Sequence, residues 1–64
     1  MIVNGETVNL NEPITLLDYL QREGYNLSHV VVEKNMEIIT RERFGETTLG
    51  PDDDINILRF MGGG

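Results

Sequence analysis

Apolar and polar positions fall into short blocks with two periods. Ile2-Val3, Asn4-Gly5 and Glu6-Thr7-Val8-Asn9-Leu10 predict a β-hairpin, because Asn-Gly supplies the two positive-φ residues of a type I′ turn. Val8 and Leu10 alternate with Thr7 and Asn9, so one face of the second strand is buried and the other wet. After Pro13 the period changes. Leu16, Leu17 and Leu20 form an apolar stripe at helical spacing. Thr15 followed by Asp18 has the form of a capping box with a shortened acid. Gly24 supplies a left-handed stop, with Tyr25 placed to fold back on Leu20. The helix is expected over 16–23.

Val30-Val31-Val32-Glu33 is β-branched enough for a strand with apolar residues on both faces. Lys34-Asn35-Met36-Glu37 reads as a turn and Ile38-Ile39 as its short return. Residues 40–44 read as one capped turn ended by Gly45, with Phe44 as its apolar plug, and 46–49 as a minor edge strand. The cluster Gly50-Pro51-Asp52-Asp53-Asp54 is a turn before a last strand over 55–60. In that strand Ile55, Ile57 and Arg59 share one face, and Leu58 and Phe60 the other. One helix covers one face of a sheet, so the Leu58/Phe60 face is expected to dock a partner, the alternative being a second small core under 41–44.

The order of hairpin, helix, strand, short turn and final strand argues for an α+β fold rather than a doubly wound one. Setting the first and last strands side by side and parallel in the sheet centre gives a β-grasp arrangement, a mixed sheet with one main helix packed on one face. The domain is expected over 1–61, followed by a flexible C-terminal glycine tail, 62–64.

Composition narrows the function classes. A chain of 64 residues leaves little room for a buried catalytic cleft. With no Cys there is no disulfide, thiolate nucleophile or Cys-based metal site. His29 is the sole histidine and reads as a surface loop residue, and the aspartate run reads as a solvated turn, so no metal site is expected. Eleven acidic residues against five basic give a formal charge of −6, which argues against nucleic acid and for a protein partner with a basic face. No apolar run approaches the roughly 20 residues of a membrane span. The expected location is the cytoplasm.

The remaining chemistry lies at the end of the chain, Arg59-Phe60-Met61-Gly62-Gly63-Gly64, where triglycine offers only the backbone carboxylate of Gly64. Extended, three residues reach roughly 10 Å, and without Cβ atoms they fit a narrow channel. With these blocks placed, the whole chain resembles the ThiS family, the ubiquitin-like sulfur carriers of thiamin biosynthesis. The resemblance rests on the hairpin around Asn4-Gly5, the helix opened by Thr15 with Leu16, Leu17 and Leu20, and Val30 to Glu33 with Ile39-Thr40-Arg41-Glu42. It rests also on Asp52-Asp53-Asp54-Ile55 leading to Leu58-Arg59-Phe60 and the glycines. Asp53 stands where the family commonly has Gly, so a slightly strained left-handed turn is expected there. The minimal family tail has two glycines, which makes Gly62 a spacer.

The resemblance implies a protein co-substrate rather than an enzyme, with no bound cofactor. A ubiquitin-activating-type adenylating enzyme would use ATP to activate Gly64. A persulfide sulfur donor enzyme would supply the sulfur of a thiocarboxylate, and thiazole synthase would accept it. Gly62 and Gly63 would thread the partners' active sites, and Leu58, Arg59, Phe60 and Met61 would dock. The alternatives are a carrier for molybdopterin or tRNA thiolation, and a β-grasp interaction module with an inert tail.

Overall fold

The computed structural model describes residues 1–61; Gly62, Gly63 and Gly64, with the expected tail boundary, lie outside the described residues. Strands β1 (Ile2–Val3) and β2 (Glu6–Thr7) form the expected hairpin, Ile2 opposite Thr7 and Val3 opposite Glu6. Asn4 and Gly5 take φ values of 52° and 83°, as a type I′ turn requires. The second strand ends sooner than its alternation suggests, although Val8 N–H still donates to the Met1 carbonyl at 2.7 Å. The Met1 ammonium donates to the carbonyls of Val8 and Pro51 at 3.1 and 2.6 Å.

β3 (Ile14–Thr15) leads directly into α1 (Leu16–Arg22). The Thr15 hydroxyl accepts from Asp18 N–H at 3.1 Å, which is the forward half of the capping box. The return bond from Asp18 is absent among the described residues; Thr15 is instead paired with Thr48 in a strand ladder. Glu23 caps the other end, one residue short of the expected helix. There Gly24 N–H donates to Gln21 O at 3.1 Å and Tyr25 N–H to Leu20 O at 2.9 Å, with Gly24 at φ 80°, a Schellman closure. The buried stripe is Leu16, Tyr19 and Leu20. Leu17 is half-buried and turns toward Gly45, on the flank of the core.

A 3₁₀ turn, Leu27–His29, opens with the Asn26 side chain accepting from Ser28 N–H at 3.0 Å. β4 (Val30–Lys34) and β5 (Glu37–Ile39) follow, joined by Asn35 and Met36 at φ 51° and 71°. A 3₁₀ segment, Arg41–Glu46, then buries Phe44. β6 (Thr48–Leu49) and β7 (Asp54–Arg59) complete the chain. The expected minor edge strand is thus real but sits elsewhere. β6 pairs with β3 in a separate two-stranded sheet, where Leu49 is wholly buried and Thr47 O accepts from Leu16 N–H at 2.8 Å.

The main sheet runs β2-β1-β7-β4-β5, parallel between β1 and β7 and antiparallel elsewhere. Val3, Val30, Val32, Ile39, Ile55 and Ile57 point to one side and form the core with Leu16, Tyr19, Leu20, Phe44 and Leu49. This is the β-grasp arrangement, with α1 on one face and the first and last strands adjacent and parallel.

The turn before β7 differs from expectation. Asp53 is not among the residues with positive φ, so no left-handed strain arises there. Its carboxylate accepts from Gly50 N–H at 2.7 Å and from the Asn35 amide at 3.0 Å, and Lys34 Nζ lies 4.0 Å away. Asp53 closes the turn with its side chain, which a glycine has no means to do.

Candidate functional site

The end of β7 is built by strand pairing. Val31 lies opposite Leu58 and Val30 opposite Arg59, and Phe60 N–H extends the ladder by donating to His29 O at 3.0 Å. Strand alternation then sends Leu58, Phe60 and Val31 to the face that α1 does not cover. Leu58 is 65% exposed, Phe60 45% and Val31 39%; Met61, just beyond the strand, is 94% exposed. The alternative of a small core under 41–44 does not occur, because Phe44 is buried in the single core cluster with α1. The His29 and Phe60 rings meet edge to face, with centroids 5.9 Å apart.

Arg59 points to the other side, as its parity requires. Its guanidinium carbon lies 4.5 Å from the centroid of the Tyr25 ring. Arg59 makes no ion pair among the described residues, where the cations that do are Arg22, Lys34 and Arg43. Between Arg59 and His29 the surface dips into a hollow of about 370 Å³, lined also by Asn26, Val30, Phe60 and Met61. Two larger hollows, about 460 and 450 Å³, lie around Asn9 to Arg22 and around Lys34 to Thr48, away from this end.

Charge separates along β7. The strand starts beside Asp52, Asp53 and Asp54 and ends on Arg59, a rise of roughly 17 Å at strand spacing. Burial works against ionisation of Asp53, but hydrogen bonds from Asn35 and Gly50 and the charges of Lys34 and the N-terminal ammonium outweigh it, so its carboxyl is held below the ordinary range. At the other end Arg41 donates to Ser28 Oγ at 3.2 Å, next to His29. The acids cluster where the last strand enters the sheet, and Arg41 and Arg59, without an ion pair among the described residues, lie where it leaves.

The four expected docking residues therefore stay together at one end of β7 but divide between two sides. Leu58 and Phe60 lie on the open face, Arg59 on the α1 side, and Met61 at the exit. The carrier positions Gly62, Gly63 and Gly64 lie outside the described residues. Two neighbours were not anticipated, His29 beside Phe60 and Tyr25 under Arg59. Among the described residues no group of three or more His, Cys, Asp or Glu is placed to hold a metal, and no helix is long and apolar enough to cross a membrane.

The sequence model of the ThiS family matches residues 1–64. A Bacillus subtilis protein named sulfur carrier protein ThiS is 38% identical over 63 residues, covering 97% of this chain and 96% of that protein. A protein of Paramagnetospirillum magneticum named thiazole synthase is 30% identical over 64 residues; the match takes in 100% of this chain but only 20% of that protein's length. The crystal structure of the thiamine biosynthesis protein ThiS from Geobacter metallireducens superposes with a TM-score of 0.83 at 33% identity, covering 98% of this chain and 96% of that one.

Proposed function

The chain belongs to the ThiS family, and on that premise we propose that it is a sulfur carrier of thiamin biosynthesis whose reactive group is the carboxylate of Gly64. The described residues 1–61 serve as a platform and 62–64 as the delivered tail. The observation that carries the reading is the open Leu58/Phe60 face at the end of β7, with the glycines following Met61 in the sequence. Soluble monomers seldom leave contiguous apolar surface unused.

The chemistry asks nothing of the carrier's own side chains. A carboxylate resists substitution because oxide is a poor leaving group. On an adenylating partner the Gly64 carboxylate attacks the α-phosphorus of ATP, releasing pyrophosphate and forming an acyl adenylate. A persulfide sulfur of a donor enzyme then displaces AMP and leaves an acyl disulfide. A thiol cleaves its S–S bond, so that the carrier departs as a thiocarboxylate and the donor side as a disulfide. The chain is consumed and regenerated as a co-substrate, with ATP bound by the partner. Leu58, Phe60 and Met61 supply the docking surface, and Gly62 and Gly63 the slender reach into a partner's channel. The similarity of a segment of a protein named thiazole synthase to this entire chain supports a thiazole synthase as the sulfur acceptor. Dependence on ATP suits the cytoplasm.

The test is the intact mass after incubation with the adenylating enzyme, ATP and a persulfide donor. One oxygen-to-sulfur exchange, localised by fragmentation to Gly64, is expected. Removing Gly63 and Gly64 should abolish it while leaving the fold unchanged. No exchange, with an enzyme competent on another ThiS protein, would refute the proposal, and full function without the two glycines would favour the interaction module.

A further inference from the structure

We propose that the hollow beside Arg59 is a recognition notch for a partner segment carrying a carboxylate next to an apolar side chain, and that Tyr25 is the positioning residue that aims Arg59 into it. The sulfur-carrier reading supplies only the identity of that partner, the adenylating enzyme; the chemistry of the notch stands on the geometry.

Arg59 ends β7 and is exposed, so an ordinary arginine there would sample many rotamers. Here its guanidinium carbon is held 4.5 Å from the Tyr25 ring centroid. Tyr25 is itself fixed, half-buried against the core and with its backbone N–H bonded to Leu20 O at 2.9 Å. A guanidinium on an aromatic face keeps its in-plane N–H donors available, and that fork matches a carboxylate. Stacking thus orders the cation without consuming its hydrogen bonds.

The rest of the notch narrows the occupant. Val30, Phe60 and Met61 give it apolar walls, and Asn26 and His29 add polar groups. A lone carboxylate would leave those walls unused, and a purely apolar side chain would leave Arg59 unanswered. A polyanion such as nucleic acid would meet one stacked cation on a chain of formal charge −6. Charge complementarity favours a single acid beside an aliphatic or aromatic residue. Such a segment can approach at this end because Asp52, Asp53 and Asp54 stand at the start of β7, the opposite end of the strand. The notch opens beside Arg59 and reaches Phe60, so an occupant would also touch the edge of the Leu58/Phe60 face.

The experiment titrates the nitrogen-15-labelled full chain with acetyl-Leu-Glu-Leu-amide and with its Gln counterpart. Amide shifts centred on Tyr25, His29, Val30, Arg59 and Phe60 are expected with the Glu peptide, with binding at least about threefold weaker for the Gln peptide. Tyr25→Phe should bind like the parent, and Tyr25→Leu, folded by its spectrum, at least about threefold more weakly. Equal binding of both peptides, shifts spread over the sheet, or no shifts would overturn the proposal. In the second arm, Tyr25→Leu should raise the carrier's KM for adenylation about fivefold with kcat within about twofold, and Tyr25→Phe should restore it. An unchanged KM in Tyr25→Leu would overturn the assignment of Tyr25. If the parent chain is not adenylated at all, the carrier reading fails, while the peptide titration still decides the notch.

Discussion

Leu58→Ala separates docking from folding. Leu58 keeps 65% of its surface exposed in the free chain. Fully burying a leucine stabilises by about 1.5–3 kcal/mol, so roughly a third of that, about 0.5–1 kcal/mol, already contributes to folding. Its cross-strand contact with Val31 falls within that amount. The remaining two thirds, about 1–2 kcal/mol, is realised only when a partner covers the face. The substitution should therefore lower unfolding free energy by less than about 1 kcal/mol and weaken partner binding by roughly 5- to 30-fold. Urea unfolding reads the first quantity, and calorimetry with the adenylating enzyme the second. A stability loss above about 2 kcal/mol with unchanged affinity would place Leu58 in the fold rather than in the interface.

Other substitutions probe the platform. Thr15→Ala removes the acceptor for Asp18 N–H and should cost about 1 kcal/mol in urea unfolding, with no change in adenylation KM. Asp53→Ala removes the carboxylate that accepts from the part-buried Gly50 N–H and from the exposed Asn35 amide, and a loss of about 1.5–3 kcal/mol is expected near neutral pH. Because the folded Asp53 carboxyl is held below its ordinary value of 3.8, its contribution is fully present above that pH and disappears as pH falls through the lower folded value. The gap in melting temperature between parent and Asp53→Ala should therefore close below pH 3.8, and parallel curves down to the acid limit would contradict this. Met36→Gly removes a side chain that is 84% exposed at φ 71°. Relief of about 1–2 kcal/mol of left-handed cost, partly offset by about 0.5–1 kcal/mol of glycine entropy, should raise the melting temperature.

Local chemistry carried most of the fold. Asn4-Gly5 and Gly24 with Tyr25 each specify a backbone geometry within a few residues and occur as read, Thr15 caps α1 without the return bond from Asp18, and the last strand keeps its alternation but runs over Asp54–Arg59. What escaped depends on partners distant in sequence. β3 is two residues long and exists as a strand because Ile14 meets Leu49 and Thr15 meets Thr48. Asp53 departs from its expected left-handed turn for a related reason. Composition marks a residue as tolerant of positive φ, but whether it adopts one depends on what its side chain reaches, here Gly50 N–H and Asn35.

The site was legible to the same degree. Periodicity gave the side to which Leu58, Arg59 and Phe60 point, but not their neighbours, because Val31, His29 and Tyr25 enter through register and helix placement. A slip of one residue would turn Leu58 and Phe60 inward with Asp54 and Asn56, and would put Ile55, Ile57 and Arg59 on the open face. Polar contacts that hold the register lie at the start and in the middle of the strand. Asn4 Oδ1 accepts from Ile57 N–H at 2.7 Å, Asn35 Oδ1 from Asp54 N–H at 2.9 Å, and Asn35 N–H donates to Asp54 O at 2.8 Å. Asp53 in turn holds the Asn35 amide. The acidic turn cluster, which suggested no function of its own, thus contributes to deciding which side chains the last strand presents before the glycines. A change at Asn35 or Asp53 should reach the docking face through register, without touching it.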